Sequence, residues 1–317
     1  MTVCIAAASN DGRFVVTATD GQLTFGEITA DVMLGKRVWF DDWQCVYAGE
    51  PANSQMIFEE MHTIHSDKPL TRENIKTVML AAYRKRMSDC LSASVLAPYD
   101  LSMDEFKNDG LKMFGELEFS RLSKLIEDHA YQYRDQLLIV GWGETVHANM
   151  IYKIDPQRDR DYKYEGVAAI GSGEVTALST LLLLGQSRQS LLVDTLYNVA
   201  AAKFSAEKSY DQDVGQNTSM FVQWKRTDDD DDARPPGKWI SDIHVSRLRE
   251  LWEEYGRPKF PEAARQEIFN IIGESEIKTA VRDQIKVMVS LSQSKMKKPD
   301  KKRRATKKSS QPSSQQS

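Results

Sequence analysis

The chain has 317 residues, of which 41% are hydrophobic, and its formal net charge is −4. No apolar run approaches the roughly 20 residues that span a bilayer, and the first residues lack the pattern of a secretory signal. We therefore expect a globular protein of the cytoplasm without a membrane partner. The three cysteines are widely spaced, which argues against a disulfide framework or a clustered zinc site, and we expect no metal and no cofactor.

Strand-like segments fill the first fifty residues and predict an antiparallel meander. They lie at residues 3–8, 13–19, 27–33, 37–40 and 44–48. Apolar residues then recur at helical spacing in 53–65 and in 71–87, where Thr71 is the predicted N-cap. The segment 88–134 is interpreted as an insertion that carries a further helix around 122–129.

The second half of the chain again shows strands followed by helices. Strands are predicted at 136–142, 148–154 and 167–170, and two apolar helices at 175–184 and 190–204 are expected to be buried between other layers. A hairpin with strands at 219–224 and 238–243 encloses an acidic loop at 228–232, and a short helix follows at 246–255. This segregation of strands and helices favours an α+β fold with antiparallel sheets covered by helices.

We predict three parts of the chain from these patterns. Residues 1–256 form the main domain, 257–293 a C-terminal helical extension, and 294–317 a disordered basic tail. The tail contains nine Lys or Arg residues and one Asp, with almost no apolar residue. We interpret it as a solvated segment rather than a nucleic-acid contact, so no nucleic-acid partner is expected.

Thr2 carries the most specific chemical signal in the sequence. If Met1 is removed, Thr2 holds a hydroxyl nucleophile and a free α-amino group on one residue. An α-amine titrates near about 7.7–8.0, so it can accept a proton at neutral pH, whereas an ordinary Lys ammonium titrates near about 10.4. The sequence therefore predicts an N-terminal threonine nucleophile that is activated by its own amine.

Further marks follow Thr2 along the chain. They are Asp20-Gly21-Gln22, the basic pair Lys36-Arg37, Tyr47-Ala48-Gly49, Gly171-Ser172-Gly173 before an apolar helix, and the segment 210–215. In this order and spacing the sequence resembles the proteasome β-subunit family of N-terminal nucleophile hydrolases, nearest to the bacterial ATP-dependent threonine peptidase type. The resemblance covers residues 2 to about 255, apart from the insertion 88–134, and implies a four-layer α-β-β-α sandwich.

The resemblance also implies roles for single residues. Thr2 is the nucleophile and Asp20 is the acid that holds an active-site lysine, whose charge favours the alkoxide-like transition state. Counting back from Val38 selects Arg37 for this position, whereas counting forward from Asp20 selects Lys36. We favour Lys36, because an arginine cannot relay a proton, and the assignment stays open at this point.

The remaining implied roles concern the surroundings of Thr2. Gly49 would donate its backbone N–H to the oxyanion, Ser172 would support the threonine amine, and Asp211 would orient that serine. A second family serine is replaced by Val214 in this sequence. Gln22 and Tyr47 are assigned to substrate binding, and Tyr47 indicates a reshaped pocket.

The expected function is hydrolysis of a peptide or amide bond by Thr2. The resemblance implies a homo-oligomer and an ATPase partner. Two alternatives remain open, since the missing serine and the altered pocket indicate divergence: an amidase that acts on a small molecule, or a catalytically silent, proteasome-like scaffold subunit.

Overall fold

The computed structural model describes most of one compact unit, Met1–Arg257. The described residues are 2–25, 28–31, 36–65, 69–133, 135–145, 148–156, 158–209, 214–226 and 236–256. The side chains of residues 22–25, 28–31, 131 and 132 lie outside this description. The predicted acidic loop at 228–232, helical extension at 257–293 and basic tail at 294–317 also lie outside the described residues.

Ten of the described strands form two five-stranded antiparallel sheets, and two more of them form a separate hairpin. Sheet 1 has the order β10-β1-β2-β11-β12, with bounds β1 Cys4–Ser9, β2 Phe14–Asp20, β10 Val167–Ile170, β11 Thr218–Trp224 and β12 Gly237–Ile240. Sheet 2 has the order β5-β6-β7-β8-β9, with bounds β5 Arg37–Phe40, β6 Trp43–Ala48, β7 Gln136–Trp142, β8 Asn149–Ile154 and β9 Asp159–Asp161. The hairpin pairs β3 Gln22–Phe25 with β4 Ile28–Asp31.

The described helices lie on the outer faces of the two sheets, apart from one that belongs to the insertion. Their bounds are α1 Pro51–His65, α2 Arg72–Leu91, α3 Met103–Gln132, α4 Glu174–Leu183, α5 Leu192–Glu207 and α6 Asp242–Leu251. Helices α4, α5 and α6 share a core with sheet 1, and α1 and α2 share a core with sheet 2. The fold is therefore the predicted four-layer α-β-β-α sandwich.

The alternation of side chains along β1 shows how the layers are built. Ile5 and Ala7 pack against α4 and α5, whereas Cys4, Ala6 and Ala8 face sheet 2 in the core between the sheets. Both faces of this strand are buried, so both are apolar. Because β1 is central and fully buried, the chain leading into it is held inside the sandwich.

Most predicted elements are confirmed, with boundaries that differ by a few residues. The predicted meander of the first fifty residues is wrong. β1 and β2 pair in sheet 1, β3 pairs with β4 in the separate hairpin, and β5 and β6 belong to sheet 2. Periodicity identifies the strands, but pairing is decided by which faces become buried, and here two successive strand pairs pack face to face rather than edge to edge.

The expectation that helix 175–184 is buried between other layers is also wrong. Ala177 and Leu181 of α4 are fully buried against sheet 1, but Val175, Leu182 and Leu183 are 74%, 67% and 88% exposed. The helix thus has one apolar face in the core and a second apolar face that no described residue covers. By contrast, α5 has nine buried residues, as its sequence predicts.

The insertion forms a small helical unit with its own apolar core. The chain turns back within α3 at Gly115, whose φ of 73° is non-helical. Phe106 and Phe119 consequently stack with ring centroids 4.8 Å apart, whereas a straight helix would separate them by about 20 Å. Leu96 and Leu122 complete this core. The predicted helix around 122–129 is confirmed, and it lies in the part of α3 that follows Gly115.

No described helix is both long and apolar enough to cross a membrane.

Candidate active site

Thr2 lies at one end of the sandwich, two residues before β1. The ladder between β1 and β2 pairs Cys4 with Thr19, and the Asp20 N–H donates to the Val3 carbonyl at 3.2 Å. Thr2 and Asp20 are therefore neighbours at the same edge of sheet 1. Both are buried, with exposed fractions of 8% and 0%.

Lys36 reaches this edge from the opposite sheet. It immediately precedes β5, and its side chain is 2% exposed. Lys36 Nζ lies 2.8 Å from Asp20 Oδ1 and donates to Thr2 Oγ1. A buried lysine thus joins a hydroxyl and a carboxylate from two different strands, so its positive charge lies directly at the threonine oxygen.

The other oxygen of Asp20 accepts two backbone donors. The N–H groups of Val3 and Gly215 each lie 3.3 Å from Asp20 Oδ2. Burial raises the pKa of Asp20, and the Lys36 charge, the Lys36 hydrogen bond and the Gly215 N–H oppose that rise. Each of these groups interacts more strongly with the ionised carboxylate, so together they favour the Lys36–Asp20 ion pair.

Arg37 points away from Thr2. Its guanidinium donates to Thr17 Oγ1 at 3.1 Å and to Ser219 Oγ at 3.2 Å, and it lies 4.7 Å from the centroid of the Trp239 ring. Adjacent residues of an extended segment face opposite directions, which explains why one basic residue enters the site and the other does not. Of the two candidates, Lys36 is the one that contacts Thr2.

The turn Gly171-Ser172-Gly173 closes over Thr2. Ser172 Oγ accepts from the Thr2 nitrogen at 3.1 Å, and the Gly173 N–H donates to the Thr2 carbonyl at 3.2 Å. Gly171 has a φ of 90°, and a Cβ at this position would lie 2.2 Å from the Thr2 carbonyl oxygen. Only glycine fits a left-handed backbone in such close contact with a neighbouring main chain.

Sheet 2 supports this turn through two polar residues that sequence reasoning missed. Gln136 Oε1 accepts from the Gly171 N–H at 2.6 Å. Lys153, which is 2% exposed, lies 2.7 Å from both carboxylate oxygens of Glu174, the first residue of α4. A lysine inside the mostly apolar strand β8 is the signal that could have identified this contact.

Gly49 lies at the end of β6 with a φ of 132°. A Cβ at this position would lie 2.1 Å from Asp135 Oδ1, and that same oxygen accepts the Glu50 N–H at 2.7 Å. Asp135, a residue that sequence reasoning also missed, therefore holds the turn that contains Gly49. Burial raises the pKa of Asp135, and the bond from Glu50 opposes the rise.

Tyr47 lies on β6, two residues before Gly49, and its side chain faces the helical layer. Its ring packs edge-on against Phe58 of α1, with centroids 5.9 Å apart, and the side chain is half-buried. Val214 is buried in the core shared by sheet 1 and its helices. The side chain of Gln22 and the whole of Asp211 lie outside the described residues.

No group of three or more His, Cys, Asp or Glu residues in the described part of the chain is arranged to hold a metal ion.

The described architecture defines the class of fold. Two antiparallel sheets between helical layers, with a threonine two residues before the first central strand, form the proteasome-like N-terminal nucleophile fold. No protein-family model matches the sequence, and no curated protein matches it.

Solved structures of proteins named Anbu share this fold. The Gly-1 mutant from Hyphomicrobium sp. strain MC1 has a TM-score of 0.54 and 13% identity, covering 84% of this chain and 96% of its own. The Yersinia bercovieri protein, described as an ancestral beta-subunit, has a TM-score of 0.52 and 14% identity, covering 80% and 94%. The helical assembly of the Pseudomonas aeruginosa complex has a TM-score of 0.53 and 15% identity, covering 83% and 99%.

Proposed function

We propose that this chain hydrolyses peptide or amide bonds, with Thr2 as an N-terminal nucleophile after removal of Met1. The observation that carries the proposal is the buried contact of Lys36 with both Thr2 Oγ1 and Asp20. The buried ammonium is paired with Asp20 and lies at the hydroxyl oxygen, where it can stabilise negative charge that develops on this oxygen during a reaction. Such a charge develops when the hydroxyl attacks a carbonyl.

The proposed reaction proceeds by acyl transfer. Thr2 Oγ1 attacks the substrate carbonyl carbon while its proton passes to the Thr2 α-amine, directly or through a water. The oxyanion of the tetrahedral intermediate accepts the Gly49 N–H. The proton then moves to the leaving amine, the C–N bond breaks, and water hydrolyses the resulting ester to regenerate Thr2.

Two surrounding groups hold the reacting atoms in place. Ser172 Oγ lies 3.1 Å from the Thr2 nitrogen, so it is within reach of the free amine. Asp20 fixes Lys36 and balances its charge at 2.8 Å. Lys36 thus stabilises developing negative charge on Oγ1 without moving.

We further propose that the chain assembles with copies of itself. The support is the apolar face of α4 that no described residue covers, on which Leu183 is 88% exposed, together with the helical assembly formed by the Pseudomonas aeruginosa protein of the same fold. An uncovered row of large apolar side chains is typical of an interaction surface. An ATPase partner is proposed from the sequence resemblance alone.

The test compares Thr2 variants in hydrolysis of fluorogenic peptides and of small amides. Thr2→Ala removes the hydroxyl and is expected to abolish hydrolysis, whereas Thr2→Ser keeps a nucleophile and retains part of it. Thr63→Ala changes a threonine on the exposed side of α1 and should match the wild type. Hydrolysis that survives Thr2→Ala would refute the proposal.

The substrate panel separates the alternatives. Hydrolysis of small amides without hydrolysis of peptides favours the small-molecule amidase. Retention of Met1 together with no hydrolysis of either class favours the silent scaffold subunit, because the amine that accepts the proton is then absent.

A further inference from the structure

Another buried lysine is linked to Asp20 through the backbone of Gly215. Lys203 of α5 is fully buried, and the reaction proposed above does not use it. Its Nζ donates to the Gly215 carbonyl at 2.8 Å and pairs with Glu207 Oε1 at 2.5 Å. Burying an ammonium is costly, so its retention requires a reason.

Gly215 connects this lysine to the active site. Its carbonyl accepts from Lys203, while its N–H donates to Asp20 Oδ2 at 3.3 Å. The two contacts fix the peptide groups on either side of one glycine, a residue whose backbone otherwise has wide freedom. A continuous path of contacts therefore runs from Glu207 through Lys203, Gly215, Asp20 and Lys36 to Thr2.

We propose that Lys203 is a positioning residue for the hydrolysis by Thr2: it holds Gly215 against Asp20 and keeps that carboxylate ionised and oriented toward Lys36. The inference rests on the proposed function. Lys203 touches no reacting atom, so it acts only through Gly215 and through its charge.

The charge contribution has a definite sign. The groups that face Asp20 are Lys36 before β5, Lys203 on α5, the N–H groups of Val3 and Gly215, and the Cys4 thiol on β1. Both lysine charges lower the pKa of Asp20, against the rise caused by burial. Loss of Lys203 leaves Lys36 as the only lysine among these groups, so Asp20 should take up its proton at higher pH.

Lys203 can be replaced without leaving its partner Glu207 unpaired. Glu207 is also bound by Arg249, whose Nη2 lies 3.0 Å from Glu207 Oε1. Lys203→Met therefore removes one cation without leaving the buried carboxylate unpaired, and methionine has a similar length and apolar stem.

The test is a carbon-13 NMR titration of the Asp20 carboxyl in the full chain, with the resonance assigned by its loss in Asp20→Asn. In Lys203→Met we expect the titration midpoint of Asp20 to rise by at least about 0.5 pH unit. The acid limb of the pH profile of hydrolysis should shift to higher pH by a similar amount. Lys76→Met removes a lysine paired with Asp161, away from the site, and should move neither.

A second variant distinguishes loss of the Lys203 charge from a general disruption of the structure. Glu207→Gln removes the negative partner but keeps Lys203, so the Asp20 midpoint should stay or fall, opposite to Lys203→Met. Midpoints that are unchanged in Lys203→Met, or that rise equally in both variants, would overturn the inference. The titration needs no turnover, so the two proposals fail separately. If the wild type is inactive but the Asp20 midpoint still rises in Lys203→Met, the hydrolase proposal is contradicted. If the wild type is active but the Asp20 midpoint is unchanged in Lys203→Met, the role of Lys203 is contradicted.

Discussion

At the scale of single residues, the site combines a costly burial with several compensating contacts. Lys36 and Asp20 are almost wholly buried, and desolvation of such a pair often cancels its attraction. Here Asp20 also accepts the N–H groups of Val3 and Gly215, which supply hydrogen bonds that water would otherwise provide. We interpret the pair as an arrangement kept for chemistry at Thr2 rather than for stability.

The raised pKa of Asp20 predicts opposite pH trends for activity and stability. Below its folded pKa, Asp20 is protonated and Lys36 loses its counter-charge, so hydrolysis should fall as pH drops through a value above the ordinary 3.8. Because the folded state holds this proton more tightly than the unfolded chain, the contribution of Asp20 to the free energy of unfolding falls as pH rises between the two pKa values.

The measurement is a pH series of hydrolysis rates and denaturant unfolding for wild type and Asp20→Asn, which lacks this titration. The wild-type minus variant difference in unfolding free energy should decrease across the window in which hydrolysis increases. A difference that grows with pH would show that the folded pKa is lowered instead.

The residues of the site differ in whether the sequence alone identifies them. Thr2, Asp20 and Ser172 can be selected from the sequence because each stands in a local pattern next to a strand or turn. Lys36 and Arg37 cannot be separated that way, since a slip of one residue exchanges the two faces of an extended chain. Only the contacts to Thr2 on one side and to Thr17 on the other distinguish them.

At the scale of elements, the turn before α4 fixes the position of Thr2. It binds Thr2 through Ser172 and Gly173 and is itself bound by Gln136 of sheet 2. The nucleophile therefore depends on both sheets. The strand that follows it, β1, supplies only part of its support.

Gly171→Ala should displace Thr2 and reduce hydrolysis by about a hundredfold or more, since a shift near 1 Å has that effect. The cause is the Cβ, which would lie 2.2 Å from the Thr2 carbonyl oxygen. Gly185→Ala is a matched control, because Gly185 also has a positive φ of 69° but nothing lies within 4 Å of its Cβ position.

Both variants are expected to lose about 1–2 kcal/mol in the free energy of unfolding from the left-handed backbone, and chemical denaturation measures this loss. Only Gly171→Ala should lose activity. Equal hydrolysis rates for the two variants would contradict the proposed dependence of Thr2 on this turn.

The sequence predicts correctly whether most segments are helices or strands, but it does not predict which strands pair. Alternation and turn residues locate β1, β2, β4, β5 and β6, but they miss β3 and do not show that β5 and β6 leave the first sheet. That choice depends on long-range burial, in which Val46 and Ala48 face Cys4 and Ala6 across the sandwich. Polar residues inside strands, such as Gln136 and Lys153, likewise become interpretable only once their partners are known.

At the scale of the whole molecule, α4 departs most from its sequence pattern. An almost wholly apolar helix predicts burial on every side, yet Leu182 and Leu183 are 67% and 88% exposed. The structure of a single chain shows which apolar surface is exposed but not which molecule covers it. Composition identifies such a helix as apolar but not what buries it.

Leu183→Glu should therefore weaken self-association while leaving the folded chain intact, because exposed substitutions change stability by only about 0.5 kcal/mol. Gln189→Glu adds the same charge at another exposed position and serves as control. Light scattering coupled to size exclusion measures the mass. An unchanged assembly mass in Leu183→Glu, or a monomeric wild type, would contradict the proposed role of α4.

The most direct test of the central claim is intact-mass spectrometry of the purified chain after treatment with a β-lactone probe, followed by peptide mapping. The account predicts loss of one methionine residue and gain of one acyl group on Thr2, with no gain in Thr2→Ala. A chain that retains Met1 and takes up no probe would contradict it.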